Sequence, residues 1–333
     1  MELVLMAALV ICVTISAVGL QLRWAKRFGL FDLPKSHSLH EGKVSTGGGA
    51  GLLLGAILGV FTASILFGDT SMRSPMLPLG LIALISLIDD YRSQPILLRL
   101  AIHFLAASLM LYLGHSDLQI PMIGLVEIHG SFVACGLSLL WIVLVTNLYN
   151  FMDGIDGFAA LQGVVSFGVL ALVTHDPLVR VWAVCLGVAC AAFLFFNWMP
   201  AKVFMGDVGA ISIGFCLASL PFNDSTDRDG ITLLIVVLSL WFFLYDGIST
   251  ILLRCFRGEK PWKSHTSHLY QLWVKAGSSH QEVCLRILGI TLGMLFLFAL
   301  VQGTENELYG LGTLFVVSII IFIGLSLKVR KRS

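Results

Sequence analysis

The sequence predicts an all-α protein, a polytopic bundle of about eleven membrane-spanning helices, and three observations carry that expectation. The residues AVILMFWYC make up 57% of the chain and charged residues 12%, with a mean hydropathy of +0.91. That balance leaves too little polar surface to clothe a water-soluble globule. Apolar stretches recur along all 333 residues. The Lys and Arg residues between them are distributed one-sidedly.

In chain order the apolar segments fall near 3–20, 47–67, 76–88, 95–113, 131–147, 158–175, 179–197, 208–222, 231–252, 284–301 and 308–327. Each is bounded by charge or by Gly/Pro clusters. The first begins at Glu2 with no basic residue ahead of it and is followed by Arg23, Lys26 and Arg27, as in a retained first helix. With the N-terminus outside and the C-terminus cytoplasmic, eighteen of the 21 Lys and Arg lie inside, leaving Arg73, Arg180 and Arg228 outside. That bias is the positive-inside rule, and it requires an odd number of crossings. The inner loops then lie near 21–46, 89–94, 148–157, 198–207 and 253–283 of a single domain covering 1–333.

A net charge of +1 provides no basic face for nucleic acid. Seven cysteines scatter through mostly apolar runs without C-x-x-C spacing and read as small hydrophobes.

Acidic residues at membrane-helix ends are costly unless used or paired. Here they gather on the predicted inner face. Asp89 and Asp90 end the third segment, where adjacent carboxylates repel each other. A divalent cation relieves that repulsion; a solvated helix end paired with Arg92 needs none. Asn147, Asn150, Asp153 and Asp156 step by three, a series that drifts halfway round a helix, so one straight helix cannot aim all four at a point. Gly154 and Gly157 offer the break, and a helix end running into a glycine-bearing loop would fold Asp153 and Asp156 back toward one centre. Asp207 stands in a Gly-Asp-Val-Gly helix start, fitted for a ligand or a simple cap. After the ninth segment come Arg254, Arg257, Lys260, Lys263, His265 and His268, donors suited to phosphates. The H-x-x-H pair alone is a weak zinc signal. His37 and His40 read as surface histidines, and Asp246 is placed to orient the basic segment through Arg254.

These motifs resemble those of the polyprenyl-phosphate N-acetylhexosamine-1-phosphate transferases, from about Lys43 to Tyr270. The resemblance rests on Leu-Ile-Asp89-Asp90, on Asn147-x-x-Asn150-x-x-Asp153-Gly-Ile-Asp156-Gly and on Phe204-Met-Gly-Asp207-Val-Gly. Asp246, Arg254, Gly258, Pro261 and His268 follow in family order, and His40–Gly49 resembles the early lysine-bearing loop. Three details depart from the pattern. His268 is followed by Tyr270 and Gln271 rather than by further histidines, Ala210 replaces a serine, and a proline before the early glycines is missing. The first suggests a subgroup that starts surface polysaccharides such as O-antigen.

The resemblance implies transfer of an N-acetylhexosamine 1-phosphate from a UDP-sugar to undecaprenyl or another polyprenyl phosphate, releasing UMP, at the cytoplasmic face of a bacterial inner membrane. It implies Mg2+, or Mn2+ in its place, on Asp207 with Asn150. Asp89, Asp90, Asp156 and His268 are implied in catalysis. Lys43, Asn147, Asn150, Asp153, Phe204, Arg254 and His265 are implied in substrate binding, with Phe204 stacking on uracil. Membrane lipid is the expected surrounding, and a homodimer is compatible with the chain. Two rivals stand beside this reading. A CDP-alcohol phosphatidyltransferase would need D-G-x-x-A-R, which is absent because Phe158-Ala-Ala-Leu follows Gly157. A secondary transporter would place its carboxylates near the bilayer midplane.

Overall fold

The computed structural model describes residues 2–28, 43–114, 119–122, 126–129, 132–227, 230–260, 265–302 and 307–330. His37, His40, Pro261 and Lys263 lie outside the described residues. The helices are α1 (Glu2–Phe28), α2 (Gly49–Leu66), α3 (Met76–Tyr91), α4 (Ile96–Leu113), α5 (Phe132–Phe151), α6 (Phe158–Val173) and α7 (Pro177–Asn197). After these come α8 (Gly206–Ser219), α9 (Ile231–Ser239), α10 (Trp241–Phe256), α11 (Leu269–Lys275), α12 (His280–Val301) and α13 (Glu307–Arg330). Every apolar segment of the sequence contains a helix. Among the described residues seven spans are long and apolar enough to cross a membrane, and α9–α10 adds an eighth bent by 66°.

The all-α expectation holds for the bundle, with one small addition. Strands β1 (Gln119–Met122) and β2 (Val126–His129) pair antiparallel as a hairpin between α4 and α5. Helices run into each of the expected inner loops, and two of the longer extensions have clear causes. α1 runs on to Phe28, because Lys26 and Arg27 in its last turn complement the negative end of the helix dipole. α12 starts at His280, where Ser279 and Glu282 cap each other's backbone amides.

α8 is the centre of the bundle. Every side chain from Val208 to Ser219 is buried, against α5, α3 and α2. Small residues permit that approach: a Cβ on Gly49 would lie 2.3 Å from the Cα of Gly209, and one on Gly214 would lie 2.6 Å from the Cβ of Tyr149. Exposed Leu, Ile and Phe side chains cover the outer faces of α1, α2, α4, α5 and α13. Such a surface suits lipid as the solvent.

The start of α8 is stitched to the segment before α2. Phe204 N donates to Ser45 O (2.7 Å), Gly48 N to Phe204 O (2.9 Å) and Gly49 N to Met205 O (2.8 Å). Gly206, at φ +72°, makes the turn into the helix. These bonds bring Lys43, Phe204 and Asp207 to the same end of the bundle.

Candidate active site

The acidic motifs converge at the N-terminus of α8. α3 ends in the adjacent carboxylates, and the two have different surroundings. Asp89 is half-buried: its Oδ1 accepts the Gln94 amide (2.6 Å), and Arg99 Nη1 donates to its Oδ2. Asp90 is exposed and faces the backbone amides of Asp207 and Val208. Arg99 sits on the first turn of α4 just past Pro95, and the same Nη1 lies 3.8 Å from Asp207 Oδ2. One guanidinium therefore bridges two of the three acidic motifs. In the sequence Arg99 stands out only as one of the inner-side charges, since nothing in its spacing marks it as part of a site.

The N-x-x-N-x-x-D-x-x-D series splits as its helical drift requires. Asn147 turns away to His103 Nδ1 (3.2 Å) and Val143 O (2.7 Å), tying α5 to α4. Asn150, one turn on, donates to the Asp207 carboxylate. α5 then stops at Phe151, and Asp153 enters the centre from the loop. Burial, then the Asp207 and Asp156 charges, push Asp153 up to about 7.

Asp156, expected at the same centre, lies near enough to act on Asp153 but is itself engaged by other partners. Its Oδ2 accepts the Ala201 amide (3.0 Å), and its Oδ1 lies 3.6 Å from His280 Nδ1, which also accepts the Asp156 N–H (3.3 Å). Gly157, at φ +73°, donates to Asn197 Oδ1 (3.1 Å). The 153–157 loop is thus clamped to the 198–203 segment and to α12. His280 is a contributor that the sequence alone did not reveal, because it lies 124 residues from Asp156.

Asp246 organises the basic side. Fully buried on α10, it accepts the Leu269 and Tyr270 amides (2.7 and 3.2 Å) and Thr250 Oγ1 (3.1 Å), with His268 Nδ1 3.5 Å away. It therefore fixes the start of α11 and the His268 ring directly. The expected route through Arg254 is replaced: Arg254 pairs with Glu259 (2.9 Å) and donates to Lys260 O (3.0 Å). His265 stacks beside His268 with ring centres 4.8 Å apart. Burial, then His268 and Arg254, push it down to about 4, so it is neutral at pH 7. Tyr270, buried against Phe158, donates its hydroxyl to Phe151 O (3.1 Å) and locks α11 onto the Asp153 loop.

A helical membrane bundle whose carboxylates, amide and arginine converge at one end defines a polytopic membrane enzyme, and the comparisons specify it as a transferase. The chain belongs to glycosyl transferase family 4, whose family model matches residues 72–223. It is 31% identical over 293 residues to the phospho-N-acetylmuramoyl-pentapeptide-transferase of Chloroflexus aurantiacus, covering 78% of this chain and 76% of that one. It is 30% identical over 321 residues to the decaprenyl-phosphate N-acetylglucosaminephosphotransferase of Mycobacterium tuberculosis, covering 86% and 79%. A probable undecaprenyl-phosphate N-acetylglucosaminyl 1-phosphate transferase of Bacillus subtilis is 26% identical over 273 residues, covering 80% and 75%.

Proposed function

We propose that the protein transfers an N-acetylhexosamine 1-phosphate from a UDP-sugar to undecaprenyl phosphate at the cytoplasmic face of the bacterial inner membrane, starting a surface polysaccharide. The observation that carries this reading is the α8 N-terminus, where Arg99 bridges Asp89 and Asp207 while Asp90 stays open. A cation between carboxylates, beside helix-terminal amides, suits a site that receives phosphates on both substrates. An oxygen of the lipid phosphate would attack the sugar-bearing phosphorus, and the bond to the UMP phosphate would break.

The residues fit a divalent cation. Burial, then the neighbouring Asp207 and Asp156 charges, raise Asp153 to about 7, and a cation would offset the part that comes from those charges. Among the described residues no three His, Cys, Asp or Glu side chains form a metal cage. Mg2+ is commonly held through one or two carboxylates plus substrate phosphates. Asp207 and Asn150 would hold it, and it would neutralise charge developing on the leaving UMP. Because Arg99 already pairs with Asp89, Asp90 is read here as the carboxylate that meets the lipid phosphate. That phosphate is largely ionised at pH 7, so Asp90 positions it more than it deprotonates it. His268, oriented by Asp246, and Arg254 would contact the diphosphate and sugar.

The test is transfer of label from UDP-GlcNAc, and from a panel of other UDP-N-acetyl sugars, to undecaprenyl phosphate by purified protein. Mg2+-dependent UMP release with labelled lipid, lost in Asp207→Asn, is the expected result. No transfer from any donor by folded, lipid-supplied protein overturns the reading.

A further inference from the structure

We infer that Gln162, on α6, is a positioning residue: its side chain holds the bend between α9 and α10 and thereby sets where α10 carries Asp246 and, through it, His268. The bend stands apart from the function proposed above, and only the consequence for His268 rests on that reading.

A 66° bend in an apolar helix needs a cause. α9 ends at Ser239 and α10 begins at Trp241, with Leu240 alone between them, and neither proline nor glycine stands at the break. The last carbonyls of a helix have no donor within it, and inside a bilayer water cannot supply one. Ser239, buried, ends α9 with such a carbonyl. Gln162 provides the donor: its Nε2 lies 2.7 Å from Ser239 O and 3.1 Å from Ser166 Oγ, so both amide protons are used. The glutamine is itself buried, a position that is costly for an amide without such partners.

The bond belongs to a longer seam. Phe158, Gln162 and Ser166 follow one another at i+4 along one face of α6. Phe158 packs on Phe243 with ring centres 4.8 Å apart and on Phe242 at 6.4 Å, both in the first turn of α10. Val165 and Val169 pack against the cluster that includes Ile235 and Leu238 of α9. On the far side of the break, Trp241 Nε1 donates to Ser318 Oγ of α13 (2.7 Å). Apolar contacts are non-directional. A hydrogen bond to one carbonyl fixes the residue at which the helix turns. α6 starts directly after Asp156 and Gly157, while Asp246 lies in the second turn of α10 and holds the start of α11 and His268. One amide thus ties the helix that follows the acidic loop to the helix that carries the basic side.

The protein carries its own reporters for the test. Cys12 on α1 and Cys255 in the last turn of α10 are exposed, and Cys185, Cys190, Cys216 and Cys284 are buried. With Cys135→Ser removing the half-buried thiol, spin labels on the exposed pair give a distance by pulsed electron resonance, in the full chain in nanodiscs. Straightening the bend by about 10° moves Cys255, about 21 Å along α10 from Trp241, by about 4 Å. Gln162→Met keeps the length of the side chain and removes the donor. It is expected to shift or broaden the distance on that scale and to lower kcat for transfer by about tenfold. Gln162→His keeps an N–H at similar reach and should retain the parent distance and most of the turnover. The kcat loss should largely vanish when Gln162→Met is made in His268→Ala protein, which has no ring left to position. Folded Gln162→Met protein with the parent distance, or folded Gln162→His protein with a displaced one, overturns the proposal; if Gln162→Met protein does not fold, Gln162→His decides alone. Displacement without loss of kcat overturns the link to His268. Displacement in protein whose parent transfers from no donor would sink the transferase reading and leave the role of Gln162 at the bend in place.

Discussion

Replacing Gly154 with alanine introduces one methyl group, and the structure specifies what it meets. The new Cβ would lie 2.1 Å from Tyr270 Oη, 3.1 Å from Tyr270 Cζ and 3.3 Å from Gln271 Nε2. The tyrosine cannot swing aside, because its ring is fully buried between Phe158 and His268 and its hydroxyl is bonded to Phe151 O. Either the loop carrying Asp153 or the start of α11 must move. Overpacking of this kind costs roughly 1–3 kcal/mol, and loss of the buried hydroxyl bond adds about 1 kcal/mol. The expected result is a fall in unfolding temperature together with loss of transferase activity, since both shifted elements border the site. Tyr270→Phe alone should cost only the hydrogen bond, about 1 kcal/mol. In the double variant the nearest obstacle recedes to the ring carbon, so the two costs should add to less than their sum. The cycle is measured by thermal unfolding in detergent with a parallel activity assay. Strict additivity, or a Gly154→Ala protein that is as active as the parent, would refute the proposed lock between Tyr270 and the catalytic loop.

Three further outcomes are expected. Asp153, raised from 3.8 to about 7, gains its negative charge beside the Asp207 site as pH rises through 7, so below neutrality its proton competes with a cation held there. Apparent Mg2+ affinity should therefore climb up to about tenfold per pH unit below pH 7 and flatten above it. Asp153→Asn should flatten the whole profile. The same group makes cation-free protein less stable as pH rises from near 4 through 7, because folding favours its neutral form. His280→Ala removes the acceptor of the Asp156 amide and should cost about 1 kcal/mol in unfolding measurements. His280→Asn keeps an acceptor near the Nδ1 position and should restore most of the lost turnover; an equally impaired Asn variant would count against this contact. Arg99→Ala should lower kcat/KM about a hundredfold or more, with Arg99→Lys intermediate. A change of less than about threefold would remove Arg99 from the site.

Much of the bundle was legible because lipid imposes a simple rule: each crossing must be apolar and hydrogen-bonded within itself. Hence all eleven apolar segments contain helices. The break in the ninth was hidden. Ser239, Leu240 and Trp241 carry neither proline nor glycine, and the run stays apolar across a 66° bend. The acidic motifs were visible individually, but the expectation that the glycine break folds Asp153 and Asp156 to one centre fits Asp153 beside Asp207 better than Asp156, which Ala201 and His280 engage. Their partners were hidden for a physical reason: Arg99 and His280 reach the site through tertiary packing, on helices whose local sequence carries no turn, spacing or charge pattern to mark them. Asp246 was noticed, but its neighbour in sequence, Arg254, was the wrong guide. A carboxylate at the start of α11 finds two unsatisfied backbone amides there, and these bind it more directly than an arginine two helical turns away.

The bend ahead of α10 gives that helix two different tasks. Asp246, Thr250 and Arg254 point inward, and Asp246 holds α11 and His268. Ile248, Leu252, Leu253 and Phe256 point outward and are exposed. On a membrane-crossing bundle such an apolar face suits lipid. The helix that anchors His268 is therefore also one of the faces the protein offers to its surroundings.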